Sequence, residues 1–166
     1  MSEETREYLP HSGKCFLCGD ENPCGVRTRF YVEGETVRTR VRLSVHFNGY
    51  RDVAHGGVVA ALLDEPMGWA ATVFGRGHTM YVTGELTVKY MAPVPVNEEI
   101  EVVTRLVKDA GRVAYAEGEL LCRGRAFVKA SGKFLPMSRE DSAMVIPYLK
   151  FDGVRKYKNL LPGVDS

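Results

Sequence analysis

The residues His46-Phe47-Asn48-Gly49-Tyr50-Arg51-Asp52-Val53-Ala54-His55-Gly56-Gly57 run directly into an apolar stretch that carries Asp64 and Glu65. An amide, an imidazole, a diglycine and a carboxylate thus share one short span, and the chemistry they suggest is attack on a polarised carbonyl. A helix opening at Gly56 would present the unpaired N–H groups of its first turn. Such groups polarise a carbonyl or hold an oxyanion, and glycine lets a ligand approach the backbone closely. Gly56 is the expected donor, and Asp64 the expected acid, as general base or as nucleophile. The plainer alternatives are a diglycine that only permits a tight strand-to-helix turn and an aspartate on the outer helix face. Glu65 fits that outer position better than Asp64 does.

Asp64 lies eight residues beyond Gly56, which is about 12 Å along a helix rising 1.5 Å per residue. One chain cannot bring both to one reacting group. A second copy, its helix antiparallel to the first, would set its own Asp64 opposite the neighbour's Gly56 and create two shared sites. An isolated aspartate among apolar residues is costly to bury unless water or a hydrogen bond meets it. Its small neighbours Gly57, Ala60, Ala61, Gly68 and Ala71 therefore suggest a wet cavity. His55 would brace the turn or touch the ligand. Asn48 would orient a water or a carbonyl, or simply begin an Asn-Gly turn. The Thr83 hydroxyl would position a water or Asp64. By strand parity Thr83 shares a face with Glu85, Thr87 and Lys89, and so faces solvent unless Gly84 marks a bulge.

These groups need elements to hold them. From Val26 to Leu43 the pattern alternates, with Val37, Thr39, Val41 and Leu43 set against Arg38, Arg40 and Arg42 around a Glu33-Gly34-Glu35 turn, which predicts a hairpin with one wet face. Val58, Val59, Leu62, Leu63, Trp69, Ala70 and Val73 recur at helical spacing and predict a helix from Gly56 to Val73. Pro66 inside it removes an N–H and should kink it unless local packing accommodates the ring. Four alternating segments follow, Thr79 to Met91, Glu98 to Lys108, Arg112 to Arg123 and Ala126 to Pro136, broken at Pro93-Val94-Pro95, Asp109-Ala110-Gly111 and Arg123-Gly124-Arg125. The expected class is α+β, a curved antiparallel sheet wrapping one long helix. Residues 1–25 form an amino-terminal segment, 26–137 the domain, and 138–166 an extension with Met144, Val145, Ile146, Tyr148 and Leu149 for a short surface helix. Trp69, Phe30, Tyr31 and Tyr90 are expected in the core or at its rim. Lys89, Arg112, Arg123 and Arg125 would meet phosphates at a cleft edge or stand as solvated strand and turn residues.

At 166 residues the chain suffices for one domain with a core. Lys and Arg number 22 against 21 Asp and Glu, so the net charge is +1 and no electrostatic footprint points to nucleic acid or an anionic membrane. The longest aliphatic run, Val58 to Leu63, is far short of the roughly 20 residues of a membrane span. The charged start, Met1 to Glu7, lacks a secretory signal, so the expected setting is cytoplasmic. In that reducing compartment Cys15, Cys18, Cys24 and Cys122 are expected as thiols or metal ligands. The turn Cys15-Phe16-Leu17-Cys18-Gly19 has the spacing of half a zinc knuckle, which Cys24 and His11 would complete, although a single C-x-x-C is often only a tight turn.

The order strand, strand, His55-Gly56-Gly57, helix with Asp64, then Lys89-Tyr90-Met91-Ala92-Pro93 and further strands resembles the hotdog-fold acyl-CoA thioesterases of the phenylacetate-pathway type. The amino-terminal Cys15-Phe16-Leu17-Cys18-Gly19-Asp20-Glu21-Asn22-Pro23 is similar to the corresponding segment of many of them, and the likeness spans Cys15 to Pro136. By that resemblance Asp64 is the catalytic carboxylate, Gly56 the amide donor to the thioester carbonyl, Asn48 the amide that holds water or substrate, Thr83 the hydroxyl position, and His55 the histidine of the motif. The implied reaction is hydrolysis of a coenzyme A thioester by a homodimer or dimer of dimers. No cofactor or metal is required, because coenzyme A arrives as part of the substrate. The competing expectations are a non-catalytic acyl-CoA or aromatic-ligand binding protein, an enoyl-CoA hydratase, and a zinc-knuckle nucleic-acid module, which the balanced charge disfavours.

Overall fold

A helix that buries leucines needs a sheet to lie on, and the order of strands decides which side chains meet it. The computed structural model describes residues 6–77 and 79–152. Its long helix α1, Gly56–Phe74, buries Leu62, Leu63 and Met67 completely. Before it come β1 (Glu7–Tyr8), β2 (His11–Ser12), β3 (Tyr31–Glu33), β4 (Thr36–Arg42), β5 (Asn48–Tyr50) and β6 (Val53–Ala54). After it come β7 (Tyr81–Tyr90), β8 (Glu99–Asp109), β9 (Ala114–Cys122), β10 (Arg125–Pro136), a short helix α2 (Arg139–Val145) and β11 (Leu149–Lys150). Seven of these strands form one antiparallel sheet in the order β1-β3-β4-β8-β9-β10-β7.

This topology is the expected α+β arrangement, with strand limits within a few residues of those predicted. β8 buries Ile100, Val102 and Thr104 in alternation, and these pack with Ala116, Leu120, Val128 and Phe134 of β9 and β10 beneath the helix. The chain leaves β4, crosses the sheet as α1, and returns as β7 at the far edge. The next strand, β8, goes back to pair with β4. Edge placement leaves one side of β7 without a partner strand among the described residues.

Several details differ from the pattern read in the sequence. The predicted hairpin over 26–43 is narrowed to β3 and β4, because Val26 and Thr28 bond instead to the amino-terminal segment, their N–H groups donating to Phe16 O and Leu17 O. That segment is no appendage: β1 joins the large sheet through β3, and Leu9, Leu17 and Cys18 enter the core. Pro66 is buried and α1 runs through it as one element, with the Thr104 hydroxyl 2.9 Å from the Pro66 carbonyl oxygen. Ala71, expected on the open small-residue side, is fully buried. Part of the carboxy-terminal extension, residues 153–166, lies outside the described residues, but α2 is present as expected and is tied down by Ser142, 2.7 Å from Thr79.

Close approach of helix and sheet is demanded at Gly118 of β9, where a Cβ would stand 2.8 Å from Thr104 Cγ2 and 3.2 Å from Leu63 Cδ2. Gly118→Val should therefore push α1 off the sheet and destabilise the fold by about 1–3 kcal/mol, the usual scale of overpacking, which a urea unfolding midpoint will measure.

Candidate active site

The start of α1 is built by the segment before it. β5 pairs with β6, setting Asn48 opposite Ala54, and the His55 N–H donates to Phe47 O at 2.8 Å. Gly49 permits this, since a Cβ there would meet His55 Cα at 3.0 Å. His55 is the N-cap, and its Nδ1 accepts the Gly57 N–H at 3.0 Å. Thus the imidazole braces the turn. The Val59 N–H donates to His55 O at 3.1 Å, while the Gly56 and Val58 amides precede the first i to i−4 bond of the helix. Gly56 lines an open cavity of about 380 Å3 together with Val59, Tyr90, Met91 and Pro93. Asn48, exposed on β5, flanks this helix start.

Two turns along, Asp64 is half-buried in a second cavity, also about 380 Å3, lined among others by Glu65, Trp69, Met80 and Thr83. Thr83 donates to Asp64 Oδ1 at 2.8 Å. Burial raises the Asp64 carboxyl above its ordinary range, and the Thr83 bond opposes that rise by favouring the ionised form. Thr83 reaches Asp64 because the register of β7 against β10 slips: Glu85 faces Lys133 while Thr83 faces Phe134, so Gly84 is the extra residue of a bulge. The condition set by parity is met, and Thr83 turns from the solvent face to the helix.

The structure thus brings Thr83 to Asp64 and gathers Asn48, His55 and Gly56 at the helix start, but it does not bring the two groups together. They stand eight residues apart on one continuous helix and line different cavities. Tyr90, read from the sequence only as a core or rim aromatic, is half exposed, and its O–H donates to Gly56 O at 2.6 Å. Its place at the far end of the strand that carries Thr83 was the available signal. Arg123 pairs with Glu98, and Arg125 stacks 5.2 Å over Phe127, so these two are engaged as surface residues.

Glu65 is not on an outer face. It shares a flank of α1 with Leu62 and Trp69, and the amino-terminal turn covers it: Cys18 Sγ lies 2.9 Å from Oε1 and Cys15 Sγ 3.2 Å from Oε2. Burial pushes the Glu65 carboxyl up to about 8, with the charge on Cys15 adding to the rise. The neighbouring Cys18 side chain holds Cys15 down at about 5, while Cys18 itself is pushed up. The expected completion of this cluster by Cys24 and His11 does not occur. Cys24 is exposed, and His11 is turned toward Asp20 and Asp152, each 3.4 Å away.

Residues 52–128, from the approach to α1 into β10, match the profile of the thioesterase superfamily. The fold is the hotdog fold of that superfamily. An uncharacterized protein of Schizosaccharomyces pombe is 33% identical over 97 residues, covering 55% of this chain and 54% of its own. The crystal structure of a thioesterase superfamily protein superposes with a TM-score of 0.68 at 27% identity, over 74% of this chain and 60% of that one. A Bacillus halodurans protein crystallised with CoA has the same fold, with a TM-score of 0.56 at 24% identity over 60% of this chain and 66% of that one. The chain therefore spans little more than half the length of these first relatives. No helix among the described residues is long and apolar enough to cross a membrane.

The capping bond of His55 carries a stability consequence. His55→Ala should lower the unfolding free energy by about 1 kcal/mol, the usual worth of an N-cap, and His55→Asn should recover most of it; denaturant titration of the two variants checks both.

Proposed function

We propose that the protein hydrolyses an acyl-CoA thioester at sites shared between two copies of the chain. The observation that carries this reading is the split of the machinery. A carboxylate oriented by Thr83 lies in one cavity, and the glycine start of the same helix lies in another, about 12 Å along the axis. A partner helix running antiparallel would set each acid opposite the other chain's amide. The edge of β7, unpaired among the described residues, ten residues long and carrying exposed Val82 and Tyr90, offers the surface for such pairing, in a dimer or a dimer of dimers. The superfamily match and the CoA bound by the Bacillus halodurans relative support the substrate class.

In this mechanism the Gly56 N–H donates to the thioester carbonyl oxygen and stabilises the charge that develops there. Thr83 holds Asp64 Oδ1, leaving Oδ2 to take a proton from water as its oxygen bonds to the carbonyl carbon. The tetrahedral intermediate then breaks its C–S bond, and the CoA thiolate leaves and takes up a proton. Asn48 steadies water or substrate beside the helix start, and His55 keeps the turn in place. No cofactor takes part, since coenzyme A comes with the substrate. Direct attack by Asp64 would instead give a mixed anhydride, and water opening that anhydride at the Asp64 carboxyl carbon would leave label on Asp64 after a single turnover in 18O-labelled water.

Asp64→Asn should reduce kcat by about 10²–10⁴-fold, the usual worth of a general base, while CoA-ester binding persists. This is measured by thiol release across a panel of straight-chain and aromatic acyl-CoAs; a wild-type protein that releases thiol from none of them defeats the proposal.

The shared site makes a second prediction. Gly56→Pro removes the one amide at a helix position where proline is well tolerated, and it should be inactive alone, as should Asp64→Asn. Mixed and reassembled in equal amounts, the two should recover roughly a quarter of wild-type activity, because half of the random dimers carry one intact site of two. A site contained within one chain would recover none.

A further inference from the structure

The C-x-x-C turn has no part in the hydrolysis proposed above, yet it packs against the helix residue next to Asp64. From Cys15 and Cys18, three residues apart, two sulfurs reach the same carboxylate, and the three side chains bring one donor atom each within 4.8 Å of one another. The turn that aims the sulfurs is closed as tightly as a backbone allows. The Gly19 N–H donates to Cys15 O at 3.1 Å, and a Cβ on Gly19 would stand 2.4 Å from that oxygen and 2.5 Å from Gly13 O, so only glycine fits. The Leu17 N–H points at Cys15 Sγ at 3.3 Å, a bond that favours the thiolate. Cys18 is buried and Cys15 half-buried, so neither sulfur is a freely solvated thiol.

Sulfurs are weak hydrogen-bond partners, and two of them compensate a half-buried carboxylate poorly. A dication would compensate all three groups at once. Tetrahedral zinc with sulfur at about 2.3 Å and oxygen at about 2.0–2.2 Å requires its ligands about 3–4 Å apart; here one donor atom from each of the three side chains lies within 4.8 Å of the others, with Cys18 Sγ 2.9 Å from one Glu65 oxygen and Cys15 Sγ 3.2 Å from the other. Two thiolates and a carboxylate suit zinc by softness as well as by geometry. We infer that Cys15, Cys18 and Glu65 form a zinc site that fastens the amino-terminal turn to α1 beside the cavity of Asp64. Binding displaces the protons of the two thiols to solvent, forms two S–Zn bonds and one O–Zn bond, and leaves the fourth position to water. It involves no electron transfer. Unlike the knuckle expected from the sequence alone, this set takes its third ligand from the helix, and neither His11 nor Cys24 belongs to it. The inference does not depend on the hydrolytic reading, because the ligands lie outside the proposed catalytic set.

The test is metal analysis of the untagged full chain, expressed with added zinc and purified under reductant. About one zinc per chain is expected. Cys15→Ser and Cys18→Ser should each reduce it to trace, while Cys24→Ser and His11→Ala should keep it. Glu65→Gln should weaken zinc, in competition with a chromophoric chelator, by at least about tenfold, a scale that even outer partners of a metal site reach. If a cysteine variant fails to fold, cobalt(II) added to the metal-free wild-type chain decides: a thiolate-to-cobalt charge-transfer band with tetrahedral ligand-field bands is expected. A wild-type chain with only trace zinc and no such band overturns the assignment. So does full retention of zinc by Glu65→Gln, loss of zinc in Cys24→Ser, or a Cys15–Cys18 disulfide in the isolated protein.

Discussion

A helix is a rigid ruler, and nearly everything at the candidate site follows from two groups being fixed at different marks on it. Gly56 opens α1 and Asp64 comes two turns later, and the burial of Leu62, Leu63 and Met67 against β8, β9 and β10 prevents the helix from bending the two toward each other. Pro66, the residue best able to break such a ruler, is instead buried within it. Gly56 and Asp64 therefore face different cavities of one chain, and the hydrolysis proposed above would draw them from two chains.

The strand that leaves the helix completes both halves. By running to the sheet edge, β7 passes Asp64 with Thr83 and the helix start with Tyr90. The bulge at Gly84 is what makes Thr83 useful, since without it the hydroxyl would follow Glu85, Thr87 and Lys89 toward solvent. At the other end, His55 serves the site through the backbone: its Nδ1 occupies the Gly57 amide and fixes the conformation in which the preceding N–H stands at the mouth of the helix. One residue orients the acid and another orients the amide, each across a single hydrogen bond.

The amino-terminal segment is joined to the domain at several places. β1 extends the large sheet, and the Cys15–Cys18 turn covers Glu65. Glu65 and Asp64 are neighbouring carboxylates with different partners. Both line one cavity and both are raised by burial, but Asp64 there accepts from a hydroxyl, whereas Glu65 is covered by two sulfurs. The difference comes from the side of the helix on which each projects.

By itself the sequence determined whatever depends on local period and spacing. The helical recurrence from Val58 to Val73 and the alternation of the later strands specify one helix against an antiparallel sheet, because burial on one face imposes periods of about 3.6 and 2. The eight-residue gap from Gly56 to Asp64 specifies their separation, because the rise per residue is constant. Tertiary structure alone decided which face a single residue serves when its partner is remote in the chain. Thr83 turned inward because a register slip against Phe134 displaced Gly84. Glu65 was covered because Cys15 and Cys18, about fifty residues earlier, fold back onto α1. His11 and Cys24, close to those cysteines in sequence, were drawn elsewhere. Periodicity reports whether a face is buried, but the identity of what buries it is fixed only when distant segments pack.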